Sequence, residues 1–262
     1  MISLERRDGR PLRIGHRGAA ALAPENTLRS FRAAAEAGVH LVEFDVLDLR
    51  RGELVVAHSD DLLEVSHGAA RGSVRDRPLD ELRAICPELP TLDEALAFFV
   101  EEAPELGVHV DLKSAAAVPG LAAAIGRFGL AGRCLVTSFD LRALRRLAAL
   151  EPHVRIGASF PQDRIGIHGR RGSALVIRGG LRALRTITPR LVARLLSRSG
   201  ATAVVLHHAL VGPAAVRAAH ARGAAVVAWT VGDERDLARV DAAGADAVVA
   251  DDPAIFVSTL QA

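Results

Sequence analysis

The stretch Leu41–Val46, LVEFDV, is a short apolar run that carries two carboxylates one residue apart. Side chains one residue apart on a regular β-strand point the same way, so Glu43 and Asp45 share one face. Two carboxylates that point together repel each other unless one is protonated or a cation lies between them. The stretch therefore predicts a strand whose two acids face a cation, a metal ion or a substrate.

Similar apolar runs recur along the chain and alternate with amphipathic stretches rich in Ala, Leu and Arg. Prolines or N-cap residues open many of these stretches, and glycines close several of them. About eight strand–helix units in 262 residues predict a parallel (β/α)8 barrel, the TIM barrel. We predict strands at Arg13–Gly15, Leu41–Val46, Leu54–Ala57, Gly107–Leu112, Cys134–Thr137, Arg155–Ala158, Ala203–Leu206, Ala225–Thr230 and Ala247–Ala250. We predict helices at Thr27–Ala37, Leu79–Ile85, Thr91–Glu101, Pro119–Gly129, Asp140–Leu150, Pro189–Ser199, Pro213–Ala221 and Glu234–Ala243.

Residues 1–262 are predicted to form a single domain, with 59–90 as an insertion after the second barrel strand. The alternative architecture is an open doubly wound sheet, which is disfavoured because no Gly-x-Gly-x-x-Gly turn follows the first strand. Leu54–Ala57 follows the preceding strand without a helix, so it either completes a hairpin or lies beside the barrel rim. A second interruption, Phe160–Thr188, is rich in arginine and is interpreted either as a solvated cationic surface or as a phosphate contact.

The formal net charge of +2 argues against a dedicated nucleic-acid binder, while the pI of 8.9 favours anionic ligands. The charged N-terminus does not resemble a secretory signal, and no apolar run approaches the roughly 20 residues of a transmembrane helix. These features predict a soluble, cytoplasmic protein without a transmembrane segment. Cys86 and Cys134 lack metal-ligand spacing and are interpreted as reduced thiols or as one disulfide.

Further polar residues follow other predicted strands, and their types suggest phosphate chemistry. His16 and His58 provide imidazoles, which give and take protons near neutral pH. Arg17 could make a paired contact with a phosphate, and Lys113, the only lysine of the chain, would act as a point cation. Asp111 would add a third oxygen ligand to the two acids above, which suits Mg²⁺ or Ca²⁺. The set predicts one metal-dependent site for a phosphate-containing substrate.

Nine short segments, in this order and across nearly the whole chain, resemble the glycerophosphodiester phosphodiesterase family. The ordered set is highly specific, although any one segment alone would be weak. The segments are Ile14–Gly18, Pro24–Thr27, Val42–Val46, Val56–His58, Pro90–Glu94, Asp111–Lys113, Ser138–Asp140, Ala228–Val231 and Ala250–Pro253.

This resemblance implies a TIM barrel that hydrolyses small glycerophosphodiesters to glycerol 3-phosphate and an alcohol with a divalent metal. Glu25 is expected in the outer shell of the metal, and Asn26 is expected to cap the first helix. Trp229 resembles the family's aromatic wall for glycerol, with a core tryptophan as the alternative. By motif position, the implied roles are acid/base catalysis for His16 and His58, metal binding for Glu43, Asp45 and Asp111, and phosphate binding for Arg17 and Lys113.

The chain departs from the family pattern at three positions. Asp111 replaces the usual glutamate, Ser59 replaces the aspartate after the second histidine, and Gly232 replaces a frequent asparagine. Three alternative functions remain open at this point. They are a phosphodiesterase for lysophospholipids or other phosphodiesters, a non-catalytic barrel that binds a phosphorylated ligand, and a metal-dependent lyase or aldolase on the same fold. The sequence leaves the oligomeric state undetermined.

Overall fold

Eight parallel strands close into a barrel in the computed structural model. The structure describes residues 1–161 and 174–256, and for residues 174–183 it describes the backbone only. The barrel order is β1-β2-β4-β5-β6-β7-β8-β9, and β9 pairs with β1 to complete the ring. The predicted TIM barrel is therefore confirmed. The strands are β1 Leu12–Gly15, β2 Leu41–Asp48, β3 Leu54–Val56, β4 Gly107–Leu112, β5 Cys134–Ser138, β6 Arg155–Phe160, β7 Ala203–His207, β8 Ala225–Trp229 and β9 Ala247–Ala250.

Helices cover the outside of the barrel and follow most of the predicted bounds. N-cap residues explain where several helices begin. The side chains of Thr27 and Thr91 each accept a hydrogen bond from the backbone N–H three residues later. The helices are α1 Leu28–Glu36, α2 Leu62–Val65, α3 Leu79–Ile85, α4 Leu92–Glu101, α5 Val118–Arg127, α6 Leu141–Leu150, α7 Ala174–Ser199, α8 Pro213–His220 and α9 Glu234–Ala242.

The helix predicted to begin at Pro189 instead begins at Ala174, and Pro189 lies inside it. Proline cannot donate to the carbonyl four residues earlier, which is why it usually opens a helix. Here the hydroxyl of the preceding Thr188 donates to the Leu184 carbonyl at 2.8 Å, four residues earlier in the same helix.

The arginine-rich interruption is therefore largely helix where it is described. Arg164, Arg170 and Arg171 lie outside the described residues. Arg185 lies against Gly212, where a β-carbon would come within 3.2 Å of its guanidinium.

The two faces of β2 have opposite chemistry. Phe44 points outward into an aromatic cluster with Phe31 and Phe99, whose ring centroids lie 5.3 and 5.8 Å from its own. Glu43 and Asp45 point into the barrel, as the period of two predicts. Burial of the outer, apolar face against α1 and α4 therefore fixes the register that turns both acids inward.

β3 forms the hairpin that was one of the two predicted alternatives, since it pairs antiparallel with the end of β2 through Val46 and Val56. The segment 59–90 then contributes α2 and α3, which share a small apolar cluster with the end of β2 and with β3. The assignment of the chain to one domain stays a prediction. Cys86 and Cys134 are both free thiols, one half-buried and one buried. Within residues 1–161 and 174–256, no helix combines the length and the hydropathy needed to cross a membrane.

Candidate active site

The carboxyl ends of the barrel strands surround a cavity of about 640 Å³. All eight residues singled out in the sequence line this cavity, although they come from segments more than 200 residues apart. They are His16, Arg17, Glu43, Asp45, His58, Asp111, Lys113 and Trp229.

Three carboxylates form the centre of the site. Glu43, Asp45 and Asp111 each offer an oxygen, and these three atoms lie within 4.8 Å of one another. The ammonium of Lys113 bridges two of the acids, at 2.8 Å from Asp45 and 2.6 Å from Asp111. Paired registers on adjacent strands explain the closeness, because Asp45 lies beside Asp111 in the β2–β4 pairing.

Burial has opposite consequences for the two acids of β2. Burial raises the pKa of Glu43 to about 7, and the neighbouring Asp45 and Asp111 charges push it in the same direction. Burial acts likewise on Asp45, but the adjacent Lys113 and Arg17 outweigh it and hold the pKa of Asp45 well below its usual range. The cluster thus has more negative charge than its cations neutralise, and Glu43 is the carboxylate that gains most from a further cation.

The turn after β1 brings Arg17 into this cluster. Its backbone N–H donates to Glu43 at 2.9 Å, and its Nε lies 3.3 Å from Asp45. Gly18 makes the turn possible, because its φ is +87° and a β-carbon there would lie 2.2 Å from the hydroxyl oxygen of Ser30. The glycine permits close packing of the turn against α1.

Of two residues in the loop before α1, Asn26 has a different role from the one expected, and Glu25 has an arginine partner. Thr27, not Asn26, is the N-cap of α1. Asn26 instead donates to Asp45 at 2.8 Å and accepts the Asp45 backbone N–H at 3.2 Å, so it holds that carboxylate in place. Glu25 forms an ion pair with Arg17 at 2.7 Å. The expected position of Glu25 in the outer shell of a bound metal stays a prediction.

Each histidine is oriented by an acidic partner. The Nδ1 of His16 donates to Asp251 at 2.5 Å, and its Nε2 faces Glu43 at 3.9 Å. His58 Nδ1 donates to Glu64, a bond that leaves its Nε2 free for another partner. Burial lowers the pKa of His16, but the bonded Asp251 and nearby Glu43 outweigh burial and raise it. Both rings therefore have a fixed tautomer and can exchange a proton at Nε2.

Asp111 is held by a chain of buried hydrogen bonds from β4 and β5. The Thr137 hydroxyl donates to Asp111 at 3.1 Å and accepts from His109 Nε2 at 3.0 Å. Burial lowers the pKa of His109 to about 4, which keeps this ring neutral. Sequence reasoning missed both supporting residues, although both lie in phase with the inward positions of their strands.

Trp229 and Phe139 form an aromatic wall on one side of the cavity, with ring centroids 6.2 Å apart and ring planes inclined at 66°. They come from the end of β8 and from the residue after β5. An aromatic wall of this kind offers an apolar surface to the carbon side of a small ligand.

The donor set fits a hard divalent cation. Three carboxylates without a sulfur ligand suit Mg²⁺ or Ca²⁺, and the cavity leaves room for ligand oxygens. The arrangement can therefore combine a cation, phosphate-binding positive charge and two proton carriers in one place.

Besides His109 and Thr137, three supporting residues were not assigned roles from the sequence. Asp251 belongs to one of the quoted segments and lies in phase with β9, so strand periodicity could have found it. Glu64 reaches His58 from α2, and no local pattern signals that contact. Ser59, which departs from the family pattern, also donates to Glu64, at 2.8 Å.

Comparisons with known proteins identify the family. The profile of the glycerophosphoryl diester phosphodiesterase family matches residues 16–255. A glycerophosphodiester phosphodiesterase from Caldanaerobacter subterraneus subsp. tengcongensis is 26% identical over 264 residues, which cover 95% of this chain and 97% of the relative.

Solved structures share the fold. A glycerophosphodiester phosphodiesterase from Thermotoga maritima matches with a TM-score of 0.72 at 21% identity, over 95% of this chain and 98% of that chain. An Oleispira antarctica phosphodiesterase in complex with the product sn-glycerol-3-phosphate matches with a TM-score of 0.70 at 24% identity, over 96% and 97% of the two chains. At these identities the likeness shows the architecture alone.

Proposed function

The chain belongs to the glycerophosphoryl diester phosphodiesterase family and is a phosphodiesterase enzyme, and on that premise we propose that it hydrolyses small glycerophosphodiesters to glycerol 3-phosphate and an alcohol. The observation that carries the proposal is the meeting of three carboxylates, two oriented histidines, an arginine and a lysine in one cavity. The phosphodiesterase of Oleispira antarctica holds sn-glycerol-3-phosphate as its product, which supports this substrate class.

Glu43, Asp45 and Asp111 would hold Mg²⁺ or Ca²⁺. A bound divalent cation supplies Lewis-acid polarisation of the phosphoryl oxygens. Arg17 and Lys113 place their positive charges beside the same cavity, where they bind the phosphate and stabilise charge that develops on it.

His16 and His58 exchange the protons of the reaction. The attacking oxygen forms a new bond to phosphorus and gives its proton to one imidazole, while the bond to the leaving alcohol breaks and its oxygen takes a proton from the other. Asp251 and Glu64 keep the reacting Nε2 atoms turned toward the cavity. Trp229 packs against the carbon side of glycerol.

Glycerol 3-phosphate release tests the proposal. Purified enzyme is offered glycerophosphocholine and glycerophosphoethanolamine with Mg²⁺, with Ca²⁺ or with chelator. We expect release with at least one metal, none with chelator, and a loss of at least about 10²-fold in His16→Ala. His153→Ala, which removes an exposed histidine, is the matched control and should behave as wild type. Tight binding of glycerol 3-phosphate without turnover under any metal would instead support a non-catalytic binding protein.

A further inference from the structure

A second cavity of about 250 Å³ lies between the loop before α1 and the 59–90 insertion. We name it the insertion pocket. Its wall is mostly apolar, with side chains from β3, α2, α3 and the chain after α3. The apolar side chains that define it are Pro24, Val56, Val65, Ile85 and Leu89.

The insertion pocket offers little to a polar ligand. Its two acids already have arginine partners, since Glu25 pairs with Arg17 at 2.7 Å and Glu88 pairs with Arg29 at 3.0 Å. Among the described residues, no buried side-chain atom that lacks a hydrogen-bond partner lines this pocket. A polyol placed here would lose hydrogen bonds to water and could regain only a few, at lining residues such as His58 and His67, whereas a hydrocarbon group would gain from burial.

The two cavities share His58, which is a lining residue of both. His58 follows β3, which is paired to β2. In the aromatic wall, Trp229 ends β8 and Phe139 directly follows β5. In the ring of eight strands, β5–β8 form the half of the barrel that excludes β2. A substrate with its phosphate at the carboxylates and its glycerol at the aromatic wall therefore directs its other end toward His58.

We propose that the insertion pocket binds the alcohol portion of the substrate and selects compact aliphatic alcohols. This inference rests on the proposed function above. A volume of 250 Å³ equals that of roughly eight water molecules, which suits a chain of about four to six carbons. The pocket excludes a hydroxylated ring such as inositol for the reason given above.

Cys86 allows a direct test, because it lines the insertion pocket and is half-buried. The substrates are the methyl, n-butyl and inositol esters of sn-glycerol 3-phosphate, and the readout is kcat/KM for each. Wild type should prefer the butyl ester over the methyl ester by about tenfold or more, with the inositol ester poorest. Cys86→Phe should abolish the butyl preference and leave the methyl ester unchanged.

Ala84→Phe is the matched control, because it adds the same ring to an exposed position of α3 outside the pocket. It should keep the butyl preference. An unchanged butyl-to-methyl ratio in Cys86→Phe, or an equal fall for both esters, would overturn the proposal. Hydrolysis of glycerophosphocholine but of neither alkyl ester would overturn this inference alone, whereas hydrolysis of none of these substrates would overturn the proposed function and this inference with it.

Thiol modification gives a second measurement, whose main comparison is made on wild type, with Cys86→Ala as the control. Methyl methanethiosulfonate adds a small group to Cys86, while Cys134 is fully buried and out of reach. Treated wild type should lose its butyl preference, and treated Cys86→Ala should not change. A treated wild type that keeps the full butyl preference would contradict an occupant in this pocket.

Discussion

The interior of the barrel has two layers of opposite chemistry, although the same strands build both. In the lower layer Leu41 and Leu135 are buried among other apolar side chains. One inward step further along the same strands, Glu43 and Thr137 line the catalytic cavity. The apolar cluster of the lower layer comprises Leu4, Leu12, Ile14, Leu41, Leu135, Ala203, Val205, Val227, Ala247 and Val249, of which Val205 and Val249 also border the catalytic cavity.

The difference between the layers teaches where stability and function reside. Apolar burial in the lower layer stabilises the closed barrel. In the upper layer, burial and then the neighbouring like charges raise the pKa of Glu43, which is a cost to the folded state once Glu43 ionises. Three substitutions separate the two contributions.

Glu43→Gln should have the largest effect. It removes one proposed metal ligand, so kcat/KM should fall by about 10³-fold in a glycerophosphodiester assay. It should also stabilise the metal-free protein. Because the folded-state pKa of Glu43 is raised, wild type loses stability as pH rises from the ordinary glutamate pKa through about 7, and the glutamine variant does not.

Urea unfolding with chelator should therefore show a gain for Glu43→Gln of about 2 kcal/mol at pH 8 and little gain at pH 4. Asp48→Asn is the control on the same strand, because Asp48 pairs with Arg75 at 2.5 Å outside the catalytic cavity. It should keep activity and gain no stability. A Glu43→Gln protein that is less stable than wild type at pH 8 would contradict the view that the upper layer is strained by charge.

Leu135→Ala tests the lower layer. Leu135 is fully buried, so truncation should lower the free energy of unfolding by about 2–5 kcal/mol. Below the melting transition, kcat should stay close to that of wild type, because the catalytic side chains are untouched. Leu150→Ala, at an exposed position of α6, should cost less than about 0.5 kcal/mol. A large loss of kcat in folded Leu135→Ala would show that the layers are not separable.

Thr137→Val should have the smallest effect and tests the boundary between the layers. It keeps the shape of the side chain but removes the hydroxyl that joins Asp111 to His109. Calorimetric titration should show Mg²⁺ or Ca²⁺ binding that is weaker by about 10–100-fold. Thr137→Ser keeps the hydroxyl and should bind nearly as wild type. Equal metal affinity in the valine variant would mean that Asp111 needs no such support, or is not a ligand.

Much of the fold could be predicted because strand and helix periodicity are local. The bounds of β4 and β9 coincide with the predicted ones, and most helices begin at a cap residue that the sequence displays. Pro189 misled the prediction for α7, since the preference of proline for a first helical turn is only local. Packing of α7 against α8 and β7 is not visible in a window of that size.

The sequence predicted those residues of the candidate site that lie within a strand or directly after one. Glu43 and Asp45 were found because a period of two places them on one face, and the structure adds that Asn26 holds Asp45 and Gly18 packs against Ser30. The partner of His58 could not be found in this way. Glu64 belongs to a four-residue helix whose position depends on how the insertion folds.

The sequence by itself determined the barrel, the identity of the charged residues and their positions at strand ends, because alternation and chain order are written in one dimension. Only the tertiary structure decided which carboxylates face one another, which partner orients each histidine and where the insertion pocket opens. These depend on distances between segments far apart in the chain, which closure of the barrel sets through strand register and side-chain packing.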